Sequence, residues 1–273
     1  MRYRWPGLSE ARREALVRRA IEWASADVSR EFGRLYRVAL TDESPSIRQL
    51  AVLGLWEDQR PDLVELLLDV VETDASTDVR AQAIATLGGL LEQRDIEDIS
   101  SDEVERLRDL LLDVAGDEED ASILRRAAVE ALGGFGDDEE AEEVIRLAAS
   151  EDDAALQAAA IYAMGTTRGA RWETNVLPAL KSEDPEVRAA AARAAGLIGM
   201  EDAVEAVIEL TGDADDEVRH AAITALGGIA TPPATKALRL LLQDATPEDE
   251  PVIEAALDEA TIGSDADRAP AGW

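Results

Sequence analysis

A single histidine, His220, stands among 273 residues that include no cysteine, and those two facts bound the chemistry the side chains can do. Without a thiol there is no disulfide, no thiolate metal site and no cysteine nucleophile. A metal site needs several nitrogen or oxygen donors converging at about 2 Å, and one imidazole is a poor start for such a set. The Ser and Thr hydroxyls are solitary and lack a His partner that would complete an arrangement of nucleophile, base and orienting group. The carboxylate run DDEEAEE from Asp137 lacks the alternating spacing and central glycine of a calcium loop, and is predicted to be a solvated hairpin turn. The expectation is a chain with no catalytic residue, no metal and no cofactor.

One residue type does recur at a fixed place. Arg48, Arg80, Arg125, Arg188 and Arg219 each follow an apolar residue that opens a helical pattern. An anion site could use such a column. A structural ladder fits it better, with each guanidinium paired to acidic turn residues of the neighbouring repeat through its fork of donors.

The column belongs to a repeat. The segments SPSIRQLAVLGLWE from Ser44, STDVRAQAIATLGG from Ser76, ASILRRAAVEALGG from Ala121, DAALQAAAIYAMGT from Asp153, DPEVRAAAARAAGL from Asp184 and DDEVRHAAITALGG from Asp215 align on Ile47, Val79, Leu124, Leu156, Val187 and Val218. The steps are 31 or 32 residues, except for one of 45 that places an insertion at about Gln93 to Ser101. Such a period signals a solenoid, in which each unit buries its apolar face against its neighbours. Within each segment the aligned residue and those three, four, seven and eight later are mostly apolar or small, the stripe of an amphipathic helix, with Gln82 as an exception. Ser44, Ser76, Asp153, Asp184 and Asp215 stand where an N-cap oxygen is needed, and Pro45 and Pro185 take the first helical position. Gly88, Gly133, Gly165, Gly196 and Gly227 are expected to release the chain into a turn. Between these helices lie other amphipathic stretches, such as DLVELLLDVVE from Asp62 and DAVEAVIEL from Asp202, which make the first helix of each hairpin. A degenerate last pair spans roughly residues 234 to 260, and residues 261–273 are expected to form a disordered acidic tail.

The pattern D-x-x-V-R-x-x-A-x-x-A-L-G resembles the HEAT-like repeats of the phycobilisome-lyase type. The resemblance covers roughly residues 41 to 260, and it implies an all-α, right-handed α-α superhelix of about seven hairpins preceded by an N-terminal capping helix. Repeats of this type occur in non-catalytic scaffolds, in lyases of bilin chromophores and in deoxyhypusine hydroxylase. The hydroxylase uses His-Glu pairs on several repeats to hold iron. Here the one such position reads His220-Ala221, and Gln49, Ala81, Arg126, Ala158 and Ala189 stand where its counterparts would be. The function expected is therefore a non-catalytic scaffold or adaptor that binds a protein, with an enzyme or lyase subunit of that repeat type as the alternative.

Residues two and six after each aligned position lie opposite the apolar stripe and are expected to point from the second helices into the concave face. With Trp56 they include Gln49, Leu53, Arg126, Glu130, Tyr162, Arg193, His220 and Thr224, and only Glu130 is a carboxylate in a chain with 59 acids. Small, aromatic and Arg side chains suit the core of an interface. The predicted partner is a protein. The net charge of −32 opposes nucleic-acid phosphates. No apolar run reaches the roughly 20 residues a membrane helix needs, and no signal-peptide pattern opens the chain, so a cytoplasmic location is expected. Residues 1–40 carry nine Arg and five acids, a net +4 against −36 for the rest. These basic capping helices could dock on an acidic surface, including weakly on another copy of the chain.

Overall fold

The computed structural model describes residues 5–27, 30–58, 60–93, 99–117 and 120–266, and these contain helices and turns with no strand. They form two compact units, Met1–Leu132 and Gly133–Trp273. In the first unit α1 (Glu10–Ala26) precedes three hairpins: α2 (Gly33–Ala39) with α3 (Pro45–Gly54), α4 (Leu63–Thr73) with α5 (Thr77–Gln93), and α6 (Ser101–Gly116) with α7 (Ser122–Leu132). The second unit holds four more: α8 (Glu139–Ala148) with α9 (Ala154–Thr166), α10 (Glu173–Ala179) with α11 (Pro185–Ile198), α12 (Val204–Leu210) with α13 (Asp216–Ile229), and α14 (Pro232–Leu241) with α15 (Glu250–Ala266). Within each unit every second helix packs on its own first helix and on the second helices before and after it, as α11 does between α9 and α13. The architecture is an α-α superhelix.

The repeat stripe is the core. In α13 the aligned Val218 is fully buried, and Ala221, Ala222, Ala225 and Leu226 are at most 4% exposed. The acidic caps act as their positions require: Asp215 accepts from the backbone N–H groups of Glu217 and Val218 at 2.9 and 3.2 Å, Asp153 likewise from two N–H groups of α9, and Asp184 from that of Glu186 in α11. Ser44 occupies the N-cap of α3, yet its hydroxyl makes no cap bond. The α5 to α6 connection at residues 94–98 lies outside the described residues, and α6 opens on a capping box between Ser100 and Glu103. Helix α15 continues to Ala266, past the residue at which the sequence pattern stops, and residues 267–273 lie outside the described part.

The glycines have a different task from the one their sequence position suggested. Gly88, Gly165, Gly196 and Gly227 lie within helices, and Gly133 opens a short 3-10 turn. What each supplies is space. A Cβ on Gly88 would sit 3.0 Å from the Ala131 Cβ in the first unit. In the second unit the same atom would lie 2.5 Å from the Ala194 Cα at Gly165, 2.7 Å from the Ala225 Cα at Gly196 and 2.8 Å from the Ala256 carbonyl oxygen at Gly227. At Gly88, Gly165, Gly196 and Gly227 the glycine nine residues after the aligned position thus faces an alanine of the next second helix, and the two backbones meet with no more than the alanine methyl between them. The turn conformation comes three residues later. Gly199, Arg168 and Ala230 stand twelve after their aligned residues and adopt left-handed φ of 76°, 53° and 55°.

Gly227→Val should therefore destabilise the chain by driving a branched side chain into α15, and Val218→Asp by burying an unpaired carboxylate, each by about 3 kcal/mol. Urea denaturation followed by circular dichroism measures this, and an unchanged midpoint for either variant would contradict the packing register.

Candidate functional site

Two members of the arginine column, Arg48 and Arg188, clamp their repeat to an aspartate of the next, whereas Arg80, Arg125 and Arg219 make contacts within their own hairpin. Arg48 lies at the start of α3 and donates through Nε and Nη2 to both carboxylate oxygens of Asp74, at 2.7 and 2.8 Å, while Nη1 donates to the carbonyls of Asp42 and Glu43. Arg188 repeats the arrangement in the second unit, with Asp213 at 2.8 and 3.0 Å and the carbonyls of Ser182 and Glu183 at 2.9 Å. Each clamped carboxylate also accepts a backbone N–H of its own turn, from Ser76 to Asp74 and from Asp215 to Asp213. One Arg thus ties its own turn to the turn of the next repeat. Arg80 donates to the Val71 carbonyl, Arg125 to that of Ala115, and Arg219 pairs with Asp216 at 2.7 Å while also reaching the Asp213 carbonyl. Where the column lacks an Arg, Gln157 donates to the Glu151 carbonyl instead. The guanidinium partners hold the Asp74 and Asp213 carboxyls below their ordinary range.

Basic residues of the N-terminal segment are drawn into the same kind of contact. Arg13 meets Asp42 at 2.8 Å, and the buried Trp5 indole donates to that carboxylate at 2.8 Å as well. Arg37 grips Asp58 and Asp62, Arg18 pairs with Glu14, and Arg30 with Asp27.

Of the two rows expected on the open side of the second helices, one is largely in the seam. Ala81, Ala158 and Ala189, two after their aligned residues, are buried at 6, 5 and 1% exposure. On the helical wheel this position is about 20° from the glycine that touches the next helix, so it faces a neighbour and not solvent. Gln49 and His220 in that row are half-buried, and the His220 ring nitrogen Nε2 lies 2.8 Å from Asp249. Arg126 is exposed and bonded to Glu130 four residues on, at 3.2 Å.

The row six after the aligned position is the open one. In the first unit it contributes Leu53, 42% exposed, with Trp56 equally exposed in the 3-10 turn that follows α3. In the second unit Tyr162, Arg193 and Thr224 line one cavity of about 450 Å³. Arg193 donates to Glu217 at 2.7 Å. The cavity also takes Arg168, Gly199 and Glu259, which the sequence reasoning did not select. Arg168 and Gly199 share the twelfth position after their aligned residues, so aligning that column would have found both.

Two family models match the chain. HEAT repeats account for residues 34–118 and 174–258, and a PBS lyase HEAT-like repeat for residues 124–151. The chain belongs to the HEAT-repeat family. The first HEAT match opens inside α2, so that helix is part of the repeat array. Solved structures agree on the fold. YibA of Escherichia coli aligns at 17% identity over 93% of this chain and 97% of that one, with a TM-score of 0.50. The complex of CpcE and CpcF of phycocyanin lyase from a Nostoc species aligns at 18% identity over 85% and 95%, with a TM-score of 0.55. A search of curated proteins found no match.

Among the described residues no group of three or more His, Asp or Glu is placed to hold a metal, and no helix is long and apolar enough to cross a membrane. Elemental analysis of the purified HEAT-repeat chain should find no stoichiometric iron, zinc or calcium, and one bound ion per chain would overturn that expectation.

The clamps also set an acid dependence. A carboxyl whose folded pKa is depressed adds stability that is present above its ordinary pKa and lost as pH falls through the folded value. Asp213→Asn should then cost about 1 kcal/mol at neutral pH, and the gap to wild type should narrow as pH falls below the ordinary carboxylate range. Chemical denaturation across pH 2.5 to 7 checks it, and a gap that stays constant into acid would contradict the clamp.

Proposed function

We propose that this HEAT-repeat chain is a non-catalytic scaffold that binds a protein partner through the uncovered row of its second helices. The observation that carries the reading is what that row contains. Packing uses the small residues of the second helices, and the outward row carries Leu53 with Trp56 beside it, Tyr162, Arg193 and Thr224, together with the small Ala85 and the half-buried Glu130. Aromatic and Arg side chains concentrate binding energy when a partner desolvates them, and Leu53 and Trp56 are among the large hydrophobic side chains exposed in the described residues, a set that also includes Trp23, Ile123 and Leu147. Phycocyanin lyase CpcE and CpcF, similar to this chain in fold, are themselves two proteins in complex, which accords with a role in protein association.

The N-terminal arginines are a weaker docking element in this reading, since Arg13, Arg18, Arg30 and Arg37 already have internal carboxylate partners. Arg12, Arg19 and Arg34 are exposed, with Arg19 lying over the Trp23 ring at 5.3 Å.

Replacing Tyr162 with Ala and Arg193 with Glu together should weaken capture of the native partner at least about a hundredfold while helicity and melting stay near wild type. Glu142 is unsuited to a control because it pairs with Arg171 at 2.6 Å. Asp202→Asn with Glu205→Gln, both exposed and in the α12 region, should leave capture unchanged. Affinity purification with quantitative mass spectrometry makes the comparison, and loss of the partner from the control but not from the Tyr162 and Arg193 variant would move the interface to another surface.

A further inference from the structure

We propose that the cavity of the second unit receives a carboxylate carried by the partner's chain, held between the guanidinium groups of Arg168 and Arg193. This rests on the scaffold reading and assigns that reading a ligand chemistry. The cavity's charge is the reverse of the molecule's. Acids outnumber bases 59 to 27 in the chain, yet the charged side chains lining this opening are two arginines and Glu259. Its volume of about 450 Å³ falls within the range of ligand-binding clefts, with room for a side chain and its neighbours.

The two arginines are available in different ways. Arg193 is bonded to Glu217, whose side chain is 70% exposed, and an ion pair so open to water exchanges for another carboxylate at little cost. Arg168 has no carboxylate partner among the described residues, despite the abundance of acids. Its backbone is left-handed at φ 53°, a conformation that L side chains adopt at a cost, and the matching position one repeat later is glycine, Gly199 at φ 76°. An arginine there is neither the residue the turn favours nor one used by the fold's ion pairs. It lines the same cavity as Arg193, and two forked donors suit the two oxygens of a carboxylate. Tyr162 and Leu197 supply apolar wall beside them, which favours a carboxylate borne on a peptide segment over a free hydrated ion.

The test uses the full chain and a phage-displayed library of random 12-residue peptides, with Arg168→Gly plus Arg193→Ala as the counter-selection target. Peptides retained by wild type and lost by the double variant should share an Asp or Glu at one position, and its replacement by Asn or Gln should weaken binding at least tenfold. Arg168→Gly alone should raise the melting temperature by about 1–4 °C, because glycine relieves the left-handed strain, while weakening the selected peptides. Ala230→Gly, at the equivalent position with φ 55°, should raise melting without touching binding. Peptides with no acidic position, equal binding by the double variant, or a lower melting temperature for Arg168→Gly would each overturn the proposal. If selected peptides ignore both arginines but lose affinity on Leu53→Asp or Thr224→Asp, the scaffold reading stands and the carboxylate site does not. Recovery of no peptide counts against both.

Discussion

Second helices from α5 to α7 in the first unit and from α9 through α15 in the second meet at close glycine-alanine contacts, and much of what the molecule presents to its surroundings follows from them. A glycine nine residues into the repeat lies against an alanine seven residues into the next, at separations that leave no room for a methyl group at Gly165, Gly196 or Gly227. Helices that approach this closely must be lined with small side chains on both sides of the seam. Ala158 and Ala189 are accordingly buried although they lie opposite the first-helix contact. A second helix is covered on three sides, by its first helix and by the helices before and after, and only a narrow strip is left open. Outward-facing side chains can stand only there, and Tyr162, Arg193 and Thr224 line one cavity from three different helices.

Charge is organised around the same stacking. A net charge of −32 would oppose compaction if the carboxylates were spread without partners. Many are instead placed at helix N-termini or in the turns that precede them, where an aspartate caps backbone N–H groups and the positive end of the helix dipole offsets its charge. The turn aspartates Asp74 and Asp213 add a second function by receiving the arginine of the preceding repeat. Each such clamp meets three needs together: it satisfies loop carbonyls, neutralises an acid and fixes the angle between turns. Arginine does this and lysine would not, because the contact uses Nε and both Nη groups in a planar fork.

Much of the fold was legible in the sequence, because the repeat carries the same apolar stripe in all six segments and the arginine in five of them, and a pattern seen that often resists local exceptions. The hairpins, the aspartate caps and the clamps at Arg48 and Arg188 all appear where the spacing puts them. The glycines were assigned the wrong physics. Near a helix end, a glycine that ends the helix and a glycine that admits a neighbour look identical in sequence, and only the position of the next helix separates them. The same blindness affected the row containing Ala81, Ala158 and Ala189, since a helical wheel knows one partner helix and a stacked helix has three. Arg168 was missed for the converse reason. The column it shares with Gly199 and Ala230 has no common side chain, and its shared property is a left-handed backbone that residue identity does not announce.

If close approach is what these glycines are for, the same substitution should change sign with location. Gly196 and Gly89 both lie inside helices, but an added Cβ meets the Ala225 backbone at 2.7 Å in the first case and nothing within 4 Å in the second. Equilibrium urea denaturation of Gly196→Ala and Gly89→Ala compares them directly. Gly196→Ala should lower stability by about 1–3 kcal/mol through overpacking, and Gly89→Ala should raise it by about 0.5–1 kcal/mol through helix propensity. Stabilisation by both substitutions would show that the seam tolerates a methyl group, and would contradict the claim that backbone contact sets the spacing of the repeats.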